Sequence, residues 1–247
     1  ASENGYSVLL INTRYDPERE LEAVDRMLSQ MVDGLLLVAN SPASQQRITR
    51  LLGDTPCVFI GNNHGPDCSY VEADNARGAR EAVQYLYRLG HRRIAFLGGG
   101  QNSRTLSLRL EGYREAVENH GLSPAVYTAG TETVDMGGWC RETTRSLLSN
   151  TAPPDAILAY SDVTAMQVLD AAASLGLEAP RDFSIIGFDH TDFGRLPYIA
   201  LTSVSQQKYR TGRLAVQRLL ENINGHRGQT ADTLQPELMI RSSCRKI

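Results

Sequence analysis

Short apolar runs alternate with amphipathic helical segments along almost the whole chain. The runs have the length and composition of buried β-strands, and the segments between them place apolar residues on one face at helical spacing. Near-continuous apolar strands that alternate with helices indicate parallel sheets covered on both faces, and we expect two such sheets rather than one very wide sheet. The predicted strands are 6–12, 34–39, 56–62, 92–99, 125–130, 156–160 and 183–188, and the predicted helices are 17–31, 43–52, 76–90, 106–120, 136–149 and 163–175.

The ends of these helices follow local rules. Asp16 followed by Pro17 is a typical cap and first-turn pair for the helix at 17–31. Several helices end at a glycine before the next strand, which a left-handed residue after the last turn explains; these are Gly34, Gly90, Gly121 and Gly176. Residues 3–5, followed by the apolar run, show the same pattern without a helix before them. We therefore expect a strand–helix unit that precedes residue 1, the alternative being an ordinary loop.

Composition excludes several classes of protein. The 247 residues are 41% hydrophobic and 21% charged, which is ordinary for a globular protein. No apolar run approaches the ~20 residues of a membrane span, and no secretory leader is visible. A net charge of −3 without a basic cluster argues against direct nucleic-acid binding by this chain. The scattered Cys57, Cys68, Cys140 and Cys244 favour reduced thiols and a cytoplasmic location over two disulfides.

Polar residues follow several of the predicted strands. In open α/β sheets, ligands bind outside the carboxyl ends of the strands, so these residues are candidates for a binding site. They are Gly61, Asn62, Asn63 and His64, then Gly98 to Gly100 with the segment 101–113, then Ser161 and Asp162, and finally Asp189 and His190. Hydroxyls, amides, a carboxylate and arginines suit a ligand that presents several hydroxyl groups.

Each candidate also has a purely structural interpretation. Ser161 and Asp162 precede a helix, and capping is the commoner role for such residues. Arg109 lies one turn into a helix, where a solvated or ion-paired arginine is the default, and Asp189 could cap a loop. Gly98–Gly100 does not match the spacing of a dinucleotide-binding loop.

Enzyme motifs are scarce in this sequence. It contains no nucleophile elbow, zinc-protease helix or Walker loop. The five histidines do not fall at metal-ligand spacings, so we expect no metal site and no cofactor. Asp189 and His190 would point to opposite sides of an extended strand, which argues against a catalytic dyad. His91, at a helix-to-strand turn, has the position of a structural histidine.

Long stretches of the chain resemble a known family. The segments "DNARGAREAVQYLYRLGHRRIAFLGG", "RLEGYREAVENHGL", "PDAILAYSDVTAMQVLDAAASLGLEAPRDFSIIGFDH", "LTSVSQ" and "PELMIRSSC" resemble, in this order, the effector-binding domain of bacterial lactose/galactose-repressor regulators. The resemblance implies an α/β fold of two lobes, each a parallel sheet flanked by helices, similar to periplasmic sugar-binding proteins. It also implies a helix-turn-helix DNA-binding domain that is absent from this chain.

The resemblance implies a domain organisation as well. The chain would cross between lobes near 72–75, 203–206 and 234–237. The N-terminal lobe would be 1–73 plus 206–234 and the C-terminal lobe 75–204 plus 237–247, with the ligand cleft between them. Dimers would form through the lobes, with the apolar helix faces of 17–31 and 208–223 as contributors.

Matching the family motifs residue by residue implies individual roles. Arg109 matches the arginine that donates to sugar hydroxyls, and Asp189 matches the carboxylate that accepts from them. Thr105 matches a polar contact. Gly61 and Asn62 would lie on a first-lobe loop that faces the ligand.

Several other positions depart from the residues usual in the family. Gln206 would begin a return through the hinge. Ser161 stands where the family usually has Asn or Asp, before the aspartate that Asp162 matches. His190 replaces the usual Asp or Asn, and Ser103 occupies a position where purine-responsive relatives have an arginine. The last departure favours a sugar over a purine.

The sequence therefore favours a sugar-binding effector domain of a transcriptional regulator rather than an enzyme. Its expected partners are a small-molecule effector, operator DNA through the absent domain and a second copy of the chain, with no membrane contact. The alternative is a periplasmic sugar-binding protein of a transporter, which would differ in carrying a secretory leader instead of a helix-turn-helix domain.

Overall fold

The computed structural model describes residues 1–14, 16–39, 41–62, 64–65, 68–100, 103–130, 133–226 and 228–247. These residues form two sheets in two compact units, as expected. The first unit comprises Ala1–Ala73 and Gln207–Leu234, and the second comprises Asp74–Gln206 and Gln235–Ile247. The chain passes between the units three times. Gln206, which the resemblance placed in the first lobe, belongs to the second unit.

The elements alternate along the chain. The helices are α1 (Pro17–Ser29), α2 (Pro42–Leu52), α3 (Asn75–Arg88), α4 (Arg104–Asn119), α5 (Met136–Leu148), α6 (Asp162–Ala173) and α7 (Lys208–Ile223). The strands are β1 (Leu35–Leu37), β2 (Cys57–Ile60), β3 (Tyr70–Ala73), β4 (Ile94–Gly100), β5 (Ala125–Ala129), β6 (Ala156–Ala159), β7 (Ser184–Phe188), β8 (Thr202–Ser205), β9 (Ala231–Leu234) and β10 (Glu237–Met239). Short 3-10 helices occupy Ser2–Asn4 and Phe193–Arg195.

The first unit is a parallel sheet of order β1-β2-β3-β9. One face packs on α1 and α2 through a cluster that includes Val24, Ile48 and Phe59. The other face packs on α7, where Ala215 contacts the cluster around Val58. Helices therefore cover both faces of this sheet, which explains why β1 and β2 are apolar throughout.

The second unit is a six-stranded sheet of order β10-β8-β7-β6-β4-β5, parallel except for β10. Helices α3 and α4 cover one face, with Tyr113 fully buried among their apolar residues. Helices α5 and α6 cover the other face. All residues of β6 and β7 are buried, so the central strands read as continuous apolar runs in the sequence.

The predicted helix start at Asp16 is confirmed, and one predicted helix end is wrong. The Asp16 side chain accepts hydrogen bonds from the amides of Glu18 and Arg19. Positive φ angles follow the helices at Gly90, Gly121 and Gly176. After α1, however, the left-handed residue is Met31 (φ 52°). Gly34 is needed for a different reason, because a Cβ there would meet Leu219 Cδ1 at 2.8 Å.

The prediction of a strand at 6–12 is wrong. Residues 6–12 have no strand conformation, and Val8, Leu9 and Leu10 are 72%, 58% and 91% exposed. A strand forms only when a neighbouring strand takes up its backbone hydrogen bonds. Among the described residues, no strand pairs with this segment. The apolar pattern alone was therefore insufficient.

None of the described helices is long and apolar enough to cross a membrane. All four cysteines are unbridged. Burial raises the pKa of the Cys57, Cys140 and Cys244 thiols to about 11.

His91 and Asp155 join the amino ends of β4 and β6. His91 is fully buried, with Nδ1 3.2 Å from Asp155 Oδ1 and Nε2 3.1 Å from the Arg245 carbonyl oxygen. The Asp155 carboxylate also accepts from the amides of Arg92 and Arg93. Burial raises the pKa of the Asp155 carboxyl, but the hydrogen bonds from His91 and the two amides outweigh it, and the pKa is lowered overall. The expected structural role of His91 is confirmed.

Asp155→Asn should lower the free energy of unfolding by about 2 kcal/mol at pH 7, because charge-assisted hydrogen bonds are lost. A lowered folded-state pKa means that this stabilisation is present above the unfolded pKa of about 4 and disappears as the pH falls through the folded value. Urea unfolding at pH 7 and near pH 3 measures both effects, with the exposed Asp54→Asn as control. Equal stability of the wild type and Asp155→Asn at pH 7 would contradict the assignment.

Candidate functional site

The carboxyl ends of β4, β6 and β7 lie at one edge of the second sheet, because these strands are parallel neighbours. Tyr160 and Ser161 follow β6, and Asp189 follows β7. Arg109 lies on α4, the helix after β4. The fold thus brings side chains from three distant segments to the same edge.

Arg109 is buried at this edge, with only 2% of its surface exposed. Its Nε donates to Asn75 Oδ1 at 2.7 Å, and its Nη1 donates to the carbonyl oxygen of Tyr160. The guanidinium carbon lies 4.0 Å from the centre of the Phe188 ring and 4.8 Å from that of Tyr160. The solvated alternative for Arg109 is therefore wrong.

Asp189 completes the environment of Arg109. Its Oδ1 lies 3.7 Å from Arg109 Nη2 and accepts a hydrogen bond of 2.5 Å from Gln206 Nε2. The Asp189 side chain keeps 24% of its surface exposed, whereas that of Arg109 keeps 3%. The two residues that the family resemblance singled out as donor and acceptor are thus an ion pair with Gln206 beside them.

Burial lowers the pKa of the Arg109 guanidinium, and the neighbouring Asp189, Tyr160 and Asp162 oppose this by raising it. The net direction is downward. An arginine nevertheless stays protonated in proteins, so the site holds a buried cation whose charge is compensated by nearby carboxylates.

The prediction that Ser161 and Asp162 cap a helix is right for Ser161 and wrong for Asp162. Ser161 is the cap of α6, since its Oγ accepts from the Thr164 amide at 3.1 Å. Asp162 does not cap the helix. Its Oδ2 accepts from the amide and hydroxyl of Thr191 at 2.6 and 2.8 Å, and its Oδ1 accepts from Ser203 Oγ at 2.6 Å. Asp162 therefore binds the segment after β7.

The backbone leaves the extended conformation immediately after β7. Asp189 has φ 99° and His190 has φ 50°, both in the left-handed region that non-glycine residues rarely adopt. Asp189 and His190 do not alternate across a strand as expected, because β7 ends at Phe188. His190 donates its amide to Ser203 Oγ at 3.0 Å, and burial together with Arg241 and Arg195 lowers the pKa of its imidazole.

Ser103 and Thr105 lie at the start of α4. Ser103 Oγ accepts from the Leu106 amide at 3.4 Å and so caps the helix. Thr105 is half-buried on the first turn. The ligand contacts of Ser103 and Thr105 remain predictions.

Gly61 and Asn62 belong to the first unit and follow β2. Asn62 is 4% exposed, and its Nδ2 donates to Glu72 Oε2 at 2.6 Å and to the Ala73 carbonyl oxygen at 3.4 Å. His64 stacks on Tyr70 with ring centres 3.6 Å apart. Asn63, another candidate, lies outside the described residues.

Gly98 and Gly99 have a packing role, so these two glycines do not require a bound phosphate to explain them. A Cβ on Gly98 would lie 2.6 Å from Thr164 Cγ2, and one on Gly99 would lie 2.8 Å from Leu106 Cδ1 and 3.1 Å from Tyr160 Cδ2. These close approaches let the Tyr160 ring lie against the end of β4.

Three residues of the site were missed by sequence reasoning. Asn75, Tyr160 and Phe188 contact Arg109 directly, yet each looks like an ordinary helix-start or strand-end residue in the sequence. The only available signal was the position of Tyr160 and Phe188 at the carboxyl ends of strands. Among the described residues, no group of three or more His, Cys, Asp or Glu side chains could hold a metal ion.

Comparison with known proteins defines the class. A family model described as a periplasmic binding protein-like domain matches residues 83–244, which is more than half of the chain. The fold and the match together identify a periplasmic-binding-protein-like α/β domain.

Individual relatives narrow the class to a family. The HTH-type transcriptional repressor CytR of Escherichia coli is 32% identical over the whole chain, which covers 73% of that repressor. A LacI transcriptional regulator from a Rhodococcus species is 27% identical with a TM-score of 0.87, over 100% of this chain and 90% of that one. The transcriptional regulator CelR, solved as a cellobiose complex, is 29% identical with a TM-score of 0.85, over 98% and 75%.

The chain belongs to the LacI family of transcriptional regulators. The resemblance stated from its motifs is thereby confirmed, and the regulator hypothesis is favoured over a transporter's binding protein. The similar proteins are repressors and regulators rather than enzymes.

Asn75→Ala should lower the free energy of unfolding by about 1–3 kcal/mol, because Arg109 Nε–H would lose its acceptor in a buried place. Chemical denaturation measures the loss. Arg77→Ala, on the exposed side of the same helix, is the matched control and should change stability by less than about 0.5 kcal/mol. Similar values for the two variants would show that Asn75 does not support Arg109.

Proposed function

We propose that this chain binds a neutral, polyhydroxylated small molecule, a sugar, as the effector of a transcriptional regulator. The observation that supports this most directly is the pair formed by Arg109 and Asp189, a fixed donor next to a fixed acceptor at the carboxyl ends of the strands. A hydroxyl group both donates and accepts, so it is the ligand group that matches this pair.

The geometry of the pair leaves a role for a ligand. At 3.7 Å, Arg109 Nη2 and Asp189 Oδ1 are too far apart for a direct hydrogen bond. A sugar hydroxyl could donate to Asp189 and accept from Arg109 at the same time. Tyr160, half-buried beside them, adds aromatic surface next to the guanidinium.

The charges favour a neutral ligand. The Arg109 cation already faces the carboxylates of Asp189 and Asp162. A phosphate group would have to compete with Asp189 for the guanidinium and would approach a second negative charge. A sugar without phosphate meets neither penalty.

The remaining predicted contacts complete the proposal. Thr105, Ser161, Ser103 and Gln206 would add polar groups from the second unit, and Gly61 and Asn62 would add them from the first. The cellobiose complex of the relative CelR supports a sugar in this class of protein.

Regulation would follow from differential affinity. A ligand that binds one arrangement of the lobes more tightly shifts the population toward it, by a factor of ten for every 1.4 kcal/mol of difference. In the whole protein this would alter the operator affinity of a helix-turn-helix domain, since its two copies must match half-sites about one DNA turn apart.

The partners and location belong to the same proposal. The protein would act as a homodimer on operator DNA in the cytoplasm. Two apolar side chains near the proposed dimer contacts, Met31 just after α1 and Tyr209 on α7, are 88% and 84% exposed. Four unbridged cysteines agree with a reducing compartment.

Asp189→Asn should weaken sugar binding about 10- to 100-fold while leaving the fold intact, because the carboxylate acceptor is lost. Isothermal titration with mono- and disaccharides, including D-ribose and cellobiose, followed by nucleosides and purines, identifies the ligand and measures the loss. Asp192→Asn, with a 96% exposed side chain three residues further on, is the matched control. Unchanged affinity in Asp189→Asn would refute the site.

The charges around Arg109 predict a preference between a sugar and its phosphate ester. A sugar that binds should bind at least about tenfold more tightly than its phosphate ester, which corresponds to about 1.4 kcal/mol. Titration of D-ribose against D-ribose 5-phosphate, and of cellobiose against its phosphate, tests this directly. Tighter binding of a phosphate ester would reverse the charge argument.

A further inference from the structure

Asp162 is a buried carboxylate to which the proposed function assigns no contact with the ligand. It is 1% exposed, and its two oxygens accept three hydrogen bonds, from the amide and hydroxyl of Thr191 and from the hydroxyl of Ser203. Ser161 already caps α6, so starting the helix does not require Asp162.

The partners of Asp162 surround the turn that presents Asp189. Thr191 is the second residue after Asp189. Ser203 lies on β8, and its Oγ also accepts from the His190 amide at 3.0 Å. Asp162 therefore holds both residues that follow Asp189, Thr191 directly and His190 through Ser203.

That turn has a backbone conformation that needs external support. Asp189 and His190 have positive φ angles of 99° and 50°, and a residue in this region persists only when its surroundings impose it. The Asp189 amide donates a hydrogen bond to the Val204 carbonyl oxygen at 2.9 Å. The next two amides of the turn, those of His190 and Thr191, donate to Ser203 and Asp162.

The space around the carboxylate is shaped to admit it. A Cβ on Gly187 would overlap Asp162 Oδ1, and one on Gly194 would lie 3.3 Å from Oδ2. Gly187 lies before the turn, in β7, and Gly194 lies after it, in the 3-10 helix. The close packing fixes the carboxylate against the segment that it holds.

We propose that Asp162 is a positioning residue that holds the Asp189–His190 turn in its left-handed conformation, so that the Asp189 carboxylate stands beside Arg109 ready for a ligand hydroxyl. The inference rests on the proposed function of Asp189 as the ligand acceptor. Asp162 itself touches no ligand in this scheme and acts through Asp189.

A ligand-independent experiment tests the positioning role. In Asp162→Ala, hydrogen exchange of the amides in 189–196 should become at least tenfold faster at equal global stability, adjusted with urea. Asp155→Asn is the matched control, since Asp155 also accepts backbone amide hydrogen bonds, at the opposite edge of the sheet. Exchange in 189–196 that matches the wild type, or rises no more than in Asp155→Asn, would overturn the proposal.

The sugar affinity of two milder variants, both at Thr191, provides a second test. A role of Asp162 in folding alone would leave this affinity unchanged. Thr191→Val removes one donor to Asp162 and keeps the amide, whereas Thr191→Ser keeps both. Calorimetry with cellobiose and D-ribose should show at least threefold weaker binding for Thr191→Val and wild-type binding for Thr191→Ser. Equal affinities for these two variants would overturn the link from Asp162 to binding.

The two proposals fail in distinguishable ways. If the wild type binds neither cellobiose nor D-ribose, the choice of these sugars is wrong, and hydrogen exchange alone decides the role of Asp162. If Asp162→Ala does not fold, exchange is measured in Thr191→Val, where 189–196 should again be faster than in Thr191→Ser. Equal exchange in those two variants would count against the positioning role.

Discussion

A guanidinium can be buried only if its N–H groups and its charge find partners inside the protein, and Arg109 imposes this requirement on the second unit. The partners come from separate elements: Asn75 from the start of α3, the Tyr160 carbonyl from the end of β6, and Asp189 from the end of β7. Leaving a buried polar group without its hydrogen-bond partner costs about 1–3 kcal/mol, and more for a charged group. The arrangement of these three strand and helix ends is therefore tied to a single side chain.

The same requirement explains features that look unrelated in the sequence. Asp189 reaches Arg109 from a left-handed backbone, which Asp162 and Ser203 support by binding the amides that follow. Gly98 and Gly99 leave space for the Tyr160 ring and for Thr164 at the end of β4. Electrostatics and close packing thus act together, and both serve to hold a donor and an acceptor side by side at one sheet edge.

Some parts of this site could be predicted and others could not. Arg109 and Asp189 stand at positions that motifs and strand ends make visible. The partners of Asp162 were not visible, because Thr191 and Ser203 are 29 and 41 residues away and belong to other elements. Asn75 was hidden for the same reason, since nothing local indicates that a helix-start amide faces an arginine on the next helix.

The sequence by itself determined the alternation of strands and helices, the cap at Asp16 and the family, because these depend on short-range periodicity and on contiguous motifs. Only the tertiary structure decided which apolar run became a strand and which distant residues donate hydrogen bonds to the buried Asp162 carboxylate. Residues 6–12 show this most clearly: their pattern is strand-like, but a strand needs a hydrogen-bonding neighbour, and none of the described strands provides one. Pairing and long-range hydrogen bonds depend on what packs alongside, which local sequence does not encode.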